Sequence, residues 1–186
     1  MTPGDGNVGP ARTQGPSLDA MRPYLATCFW LVVPILIFNL LFSRDLPAAY
    51  QSAIFWNQIP RAIAWPENGL RLAALLLPLG MRLDVRSRRG KAGLGVYLVG
   101  VAVYFSSWGA LILSPNCAWS TSAVGFLAPA WTPIAWFLGI LLLSGERLLI
   151  PVRFYQPWMF GLLAGAFLVF HNLHAGLVFS RLHGAP

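Results

Sequence analysis

The stretch Trp65-Pro66-Glu67-Asn68-Gly69-Leu70-Arg71 puts a carboxyl group, an amide and a guanidinium at the head of an apolar run. Glu67 and Arg71 are four residues apart, so on a helix they share a face and can pair. A glutamate so placed can serve as acid, base or cation ligand, with Arg71 as its electrostatic partner. Far along the chain, His171 and His174 are three apart and also share a helix face. Together with Glu67 they have the ligand types of a facial metal set, and a single histidine can hold haem. No further ligand accompanies either pattern, and the chain is assigned no metal and no cofactor. The competing reading needs no chemistry: a local Glu67–Arg71 ion pair, with the histidines bonded to neighbouring helices.

The elements that must position these residues follow from composition. The chain has 186 residues, 56% of them hydrophobic and only 10% charged, against about 25% charged in a soluble domain. A helix crosses the hydrocarbon with about 20 mostly apolar residues. Five such runs are predicted, at about 24–43, 66–83, 94–113, 123–143 and 158–179. The fold class is therefore all-α, a polytopic bundle of five transmembrane helices. Its 23–180 core follows a disordered tail, 1–22, and precedes a short tail, 181–186. The first run is longer than a signal-peptide core and lacks a clear cleavage site, so it reads as a retained helix. Residues 44–65 mix aromatics with Gln51, Asn57, Gln58 and Arg61 and read as an interfacial segment. Pro66 is expected to start the second helix, which puts Glu67 in its first turn. A start nearer Ile59 would leave Pro66 as an internal kink and Glu67 deeper.

The net charge of +7 comes from basic residues in loops beside the spans, the positive-inside pattern. No aromatic-interleaved basic repeat points to nucleic acid. The 82–91 loop carries Arg82, Arg86, Arg88, Arg89 and Lys91 and is expected to be cytoplasmic. This places the N-terminus in the cytoplasm and the C-terminus outside it, in a bacterial inner (plasma) membrane. Cys28 and Cys117 then fall on opposite faces and do not pair.

Depth follows from the rise of about 1.5 Å per helical residue. Glu67, Arg71, Asn39, Ser107, His171 and His174 all fall in the outer third of the bilayer, whereas the inner half has almost no polar side chains. Asn39, Asn68, Ser107, Trp108 and His171 are candidate substrate contacts, and Glu67, Arg71 and His174 candidate catalytic residues. Trp56, Trp65, Trp108 and Trp119 form an interfacial belt or wall an amphiphile site. Pro129 and Pro133 break a helix and free carbonyls near it. Gly161 and Gly165 suggest a close helix contact, and Asn172, on the same face, an interhelical bond.

No P-loop, dinucleotide fingerprint, catalytic triad order or Cys-x-x-Cys occurs. The leading functional reading is a membrane subunit or accessory protein with a polar outer-leaflet site. Its partners are the lipid bilayer and a membrane protein partner or copies of itself. The first alternative is an intramembrane enzyme or binding protein for an amphiphilic lipid or isoprenoid, with Glu67 as acid/base and His174 as a second proton-transfer group. A transporter or channel component is the second, and requires an oligomer to cross the apolar inner half.

Overall fold

The computed structural model describes residues 26–148 and 155–184, with the backbone alone for 146–148. The expected disordered tail 1–22, the start of the first span and the loop residues 149–154 lie outside the described residues. The protein is mostly helical, and three segments are long and apolar enough to cross a membrane. They are α4 (Arg88–Leu113), the broken pair α6 (Ala123–Trp131) and α7 (Pro133–Leu143), which follows the short helical turn α5 (Ala118–Thr121), and α8 (Pro157–His183). The other two expected spans form shorter helices, α1 (Phe29–Leu41) and α3 (Arg61–Leu76), so helix length alone supports three crossings rather than five.

Between α1 and α3 the segment expected to be interfacial folds as a 3-10 turn, Ala48–Tyr50, and a single helical turn, α2 (Ser52–Phe55). Gln58 follows with φ 55°, a left-handed conformation uncommon for a residue with a Cβ. Pro60 then caps α3, with Ile63 and Ala64 N–H donating to its carbonyl at 2.9 and 3.0 Å. The helix therefore begins before Pro66, which lies inside it. Arg61 to Trp65 contain no helix breaker, and one missing N–H at Pro66 costs less than ending the helix there. Glu67 sits in the second turn, not the first. After Leu76 a 3-10 turn carries the chain to Leu79.

One end of the molecule holds a feature the all-α expectation lacks. β1 (Met81–Leu83) pairs antiparallel with β2 (Ser144–Leu148), and the chain entering α1 joins them through Cys28 N–H to the Met81 carbonyl at 2.9 Å and Leu83 N–H to the Ala26 carbonyl at 2.9 Å. Next to it, Asp84 Oδ1 accepts from the N–H groups of Arg86 and Ser87 at 2.9 and 3.1 Å. Ser87 Oγ caps α4 by accepting from Gly90 N–H at 2.9 Å. Hydrogen bonds from Ser87 and Arg86 hold the Asp84 carboxyl below its ordinary pKa. This end carries the basic residues Arg82, Arg86, Arg88, Arg89 and Lys91.

α4 packs along α7 through glycines. A Cβ on Gly100 would lie 2.4 Å from the Trp136 nitrogen, and one on Gly139 would lie 2.5 Å from the Tyr97 Cα. Small residues let helix backbones approach this closely. The expected Gly161/Gly165 contact is looser: Gly161 would meet only the Leu141 side chain, at 3.0 Å, and Gly165 meets nothing within 4 Å. Asn172 does bridge helices, donating to the Ala130 carbonyl at 2.9 Å. Outward faces are apolar (Leu98, Val99, Leu162, Val169), while Glu67, His174, Ser107 and Thr132 are buried. This polarity is the reverse of a water-soluble surface.

Candidate functional site

α3 and α8 lie side by side. His171 and His174 are one turn apart on α8, so they present both imidazoles to the same stretch of α3. Glu67 is that stretch's polar residue and is completely buried. Both of its oxygens are engaged. Oε1 accepts from the Arg71 guanidinium one turn along α3 and faces His171 Nδ1 at 2.8 Å. Oε2 faces His174 Nδ1 at 2.6 Å. The opposite nitrogen of His174, Nε2, donates to the Phe55 carbonyl at 2.9 Å.

That last bond ties the segment between α1 and α3 to the cluster. The final carbonyls of a helix lack intrahelical donors, and the end of α2 finds them on α8. Besides His174, the Arg181 guanidinium donates to the Ile54 carbonyl at 2.7 Å and to the Asn57 carbonyl. The rings of Phe55 and Trp56 then close over His174, with centroids 4.3 and 4.5 Å away. The Arg71 guanidinium carbon lies 5.4 Å from the Trp56 ring centroid and 5.7 Å from that of Phe167, within cation–π range of both. Phe167 also stacks on His171 at 5.2 Å.

Arg71 and His171 border a cavity of about 290 Å³. Its walls are largely aromatic, including Phe38 on α1, Tyr50 and Trp56 on the α1–α3 connection, Trp108 on α4, Trp136 on α7 and Phe167 on α8. Pro129 and Pro133, which break the α6–α7 segment, line it too. Tyr104 hydroxyl donates to Asn39 Oδ1 at 2.9 Å across the α1–α4 wall, and Tyr50 hydroxyl donates to the Phe126 carbonyl at 2.7 Å. Trp136 is only 3% exposed, and its indole Nε1–H is buried with no hydrogen-bond partner among the described residues. Most such groups in native structures are paired.

The structure therefore gathers Glu67, Arg71, His171 and His174 into one network. It sets Asn39 and Trp108 on the cavity wall with Arg71 and His171. The other two candidates stay outside. Asn68 donates to the Ala64 carbonyl of its own helix at 2.9 Å, on an exposed face, and Ser107 donates to the Tyr104 carbonyl at 2.7 Å within α4. Of the belt tryptophans, Trp56 and Trp108 wall the cavity, whereas Trp65 and Trp119 are exposed. Sequence reasoning missed Tyr104, Trp136 and the Phe55 carbonyl. A tyrosine and a tryptophan in the middle of apolar helices were a signal, because their O–H and N–H groups need partners. The backbone carbonyl had none.

The two histidines differ in what they can do. His174 is fully buried and uses both nitrogens, whereas His171 is 20% exposed, borders the cavity and uses Nδ1 alone. A carboxylate holding one imidazole nitrogen while the other is open is the arrangement of general acid–base pairs. Among the described residues no three ligating side chains surround a common metal position; the imidazole Nδ1 atoms face one carboxylate instead. Comparison of the chain with protein-family models, curated proteins and solved structures returned no match.

Proposed function

We propose that this is a five-pass inner-membrane protein that binds an amphiphile, a lipid or isoprenoid, in the cavity on its extracytoplasmic side. One observation carries the reading: a mainly aromatic cavity that has a guanidinium and an imidazole on its wall. The apolar walls suit a hydrocarbon chain, and Arg71 with His171 suits a polar head. In this reading α1 and α3 also cross, lengthened by their flanking turns. The basic residues around the β1–β2 sheet support a cytoplasmic location for that end.

A second reading adds chemistry to binding. The Glu67–His171 pair supports proton transfer between His171 Nε2 and the bound head, with Glu67 positioning the ring. The candidate roles then shift: His171 is the group that meets substrate, and His174 a positioning residue that fixes Glu67. A membrane subunit with no ligand would need no such cavity.

Photolabelling in bacterial membranes tests the binding reading. Long-chain probes bearing a diazirine, with phosphate, alcohol or ammonium heads, are expected to label cavity residues such as Leu36 and Leu75. Leu75→Trp, which fills the cavity, is expected to abolish that labelling. Labelling confined to outward residues such as Leu162, unchanged in Leu75→Trp, would overturn it. Orientation is read separately from the two thiols. Cys117 is exposed and Cys28 buried, and Ser120 hydrogen bonds lower the Cys117 pKa. A membrane-impermeant maleimide is expected to modify Cys117 readily from the periplasmic side, and Cys28 not at all.

A further inference from the structure

The hydrogen bonds around Glu67 determine the charge of the site. His174 Nε2 faces a carbonyl, which only accepts, so a proton sits on Nε2. His174 Nδ1 and Glu67 Oε2 are 2.6 Å apart, so a second proton lies between them. His171 Nδ1 and Glu67 Oε1 are 2.8 Å apart, so a third lies there. Two neutral imidazoles and a carboxylate would carry two protons and one negative charge. The third proton cancels that charge, whether it resides on Glu67 or on His174. Arg71 is then left over. Any proton arrangement that satisfies these bonds has a net charge of at least +1, and the apparent Glu67–Arg71 ion pair does not neutralise the guanidinium.

Nothing else described balances it. Every ion pair among the described side chains involves this same Glu67. Arg71 is 34% exposed and uses one Nη on Glu67. Its remaining N–H groups have no protein partner among the described residues, and it borders the cavity. An uncompensated charge at membrane depth is costly, and the aromatic faces of Trp56 and Phe167 offset it only in part. The unpaired Trp136 N–H, on the same cavity, is a second donor without an acceptor.

We infer that the cavity is an oxyanion site, and that its ligand is an amphiphile with an anionic head, a carboxylate or a phosphate. One negative charge would balance the +1 cluster. Oxygen acceptors would engage the free Arg71 donors, and Trp136 Nε1 where the head reaches it. A protonated oxygen on a phosphate monoester would in addition donate to His171 Nε2. Cationic and zwitterionic heads place a positive group against Arg71 and are disfavoured.

This inference rests on the binding reading above, and one experiment separates them. Probes with the same diazirine chain carry a phosphate, carboxylate, alcohol or ammonium head, and cavity labelling is titrated in membranes. Phosphate and carboxylate are expected to label at about tenfold lower concentration than the alcohol, the size of one charge-assisted hydrogen bond or more. The ammonium form is expected to label least. Arg71→Met should bring the anionic and alcohol probes together, and Arg71→Lys should restore part of the preference. Inorganic phosphate is included as a competitor: displacement by it would support the site with a free anion as ligand, whereas displacement by the alkyl phosphate alone supports it with a lipid head. Equal labelling by all four heads would overturn the anion inference and leave the binding reading standing. No cavity labelling by any head would overturn both. Should Arg71→Met fail to fold, the head-group order in the unmodified protein decides by itself.

Discussion

Helices α4 and α7 and helices α3 and α8 are both close pairs, held by opposite means. The first has no charged contact in its closest stretch: Gly100 and Gly139 bring backbone against backbone, with Tyr97 and Trp136 packed around them. Apolar packing is sufficient to account for it. The second buries a carboxyl group, two imidazoles and part of a guanidinium between the helices. Buried polar networks of this type are seldom better for stability than well-packed apolar side chains. The α4–α7 seam thus shows how this chain joins helices when joining is all that is needed. The α3–α8 seam carries polar groups beyond that need, and two of them, Arg71 and His171, border the cavity.

Breaking the two seams should have different signatures. The largest effect is expected from Glu67→Ala, which leaves two imidazoles and Arg71 without their acceptor, at a cost of about 3–5 kcal/mol. Glu67→Gln should be far milder, because its amide can donate to His174 Nδ1 while its carbonyl still accepts from His171 and Arg71. Denaturation in detergent micelles measures both, and an equal loss in the two variants would contradict the proton count. Next come Gly100→Ala and Gly139→Ala, where the added Cβ meets backbone, at about 1–3 kcal/mol or somewhat more. Gly165→Ala meets nothing and should instead stabilise α8 by about 0.5–1 kcal/mol. Similar losses at all three glycines would mean that the α4–α7 seam is not the tight one.

Smaller effects sharpen the contrast. Asn172→Ala removes the donor to the Ala130 carbonyl and should cost about 1–3 kcal/mol if that carbonyl stays dry. The smallest is expected at the sheet end. Asp84 has its carboxyl held below its ordinary pKa by hydrogen bonds from Ser87 and Arg86. Its contribution is present above the ordinary carboxylate range and is lost as pH falls through the lowered folded value. The Tm of the protein should therefore drop slightly on acidification through that range, and the Asp84→Asn variant should lack this part of the drop.

How much of this was legible follows the same contrast. The Glu67–Arg71 pair could be read from spacing, and the shared level of His171 and His174 from depth, because helical rise converts sequence position into level; whether the pair faces the histidines could not be read. The same argument brought in Asn39, but it also brought in Ser107, and Asn68 came in as the neighbour of Glu67. Depth does not specify which way a side chain points, and both bond to their own helix. The Phe55 carbonyl was hidden because any backbone can supply one. The glycine seam was hidden because its partners lie on different helices, while the visible pair, Gly161 and Gly165, is loose. The β1–β2 sheet was hidden because Met81–Leu83 alternates over only three residues and Ser144–Leu148 does not alternate at all. Pro66 misled because proline suits a first helical turn, and here it is tolerated inside one.

The central claim is that Arg71, left with an uncompensated charge, holds an anionic amphiphile in the aromatic cavity. Native mass spectrometry of the protein purified in mild detergent from its membrane tests this most directly. The account predicts a retained adduct whose extracted mass is that of an anionic amphiphile, strongly depleted in Arg71→Met and in Leu75→Trp. An adduct-free protein, or an adduct with a neutral or cationic head that survives Arg71→Met, would contradict it.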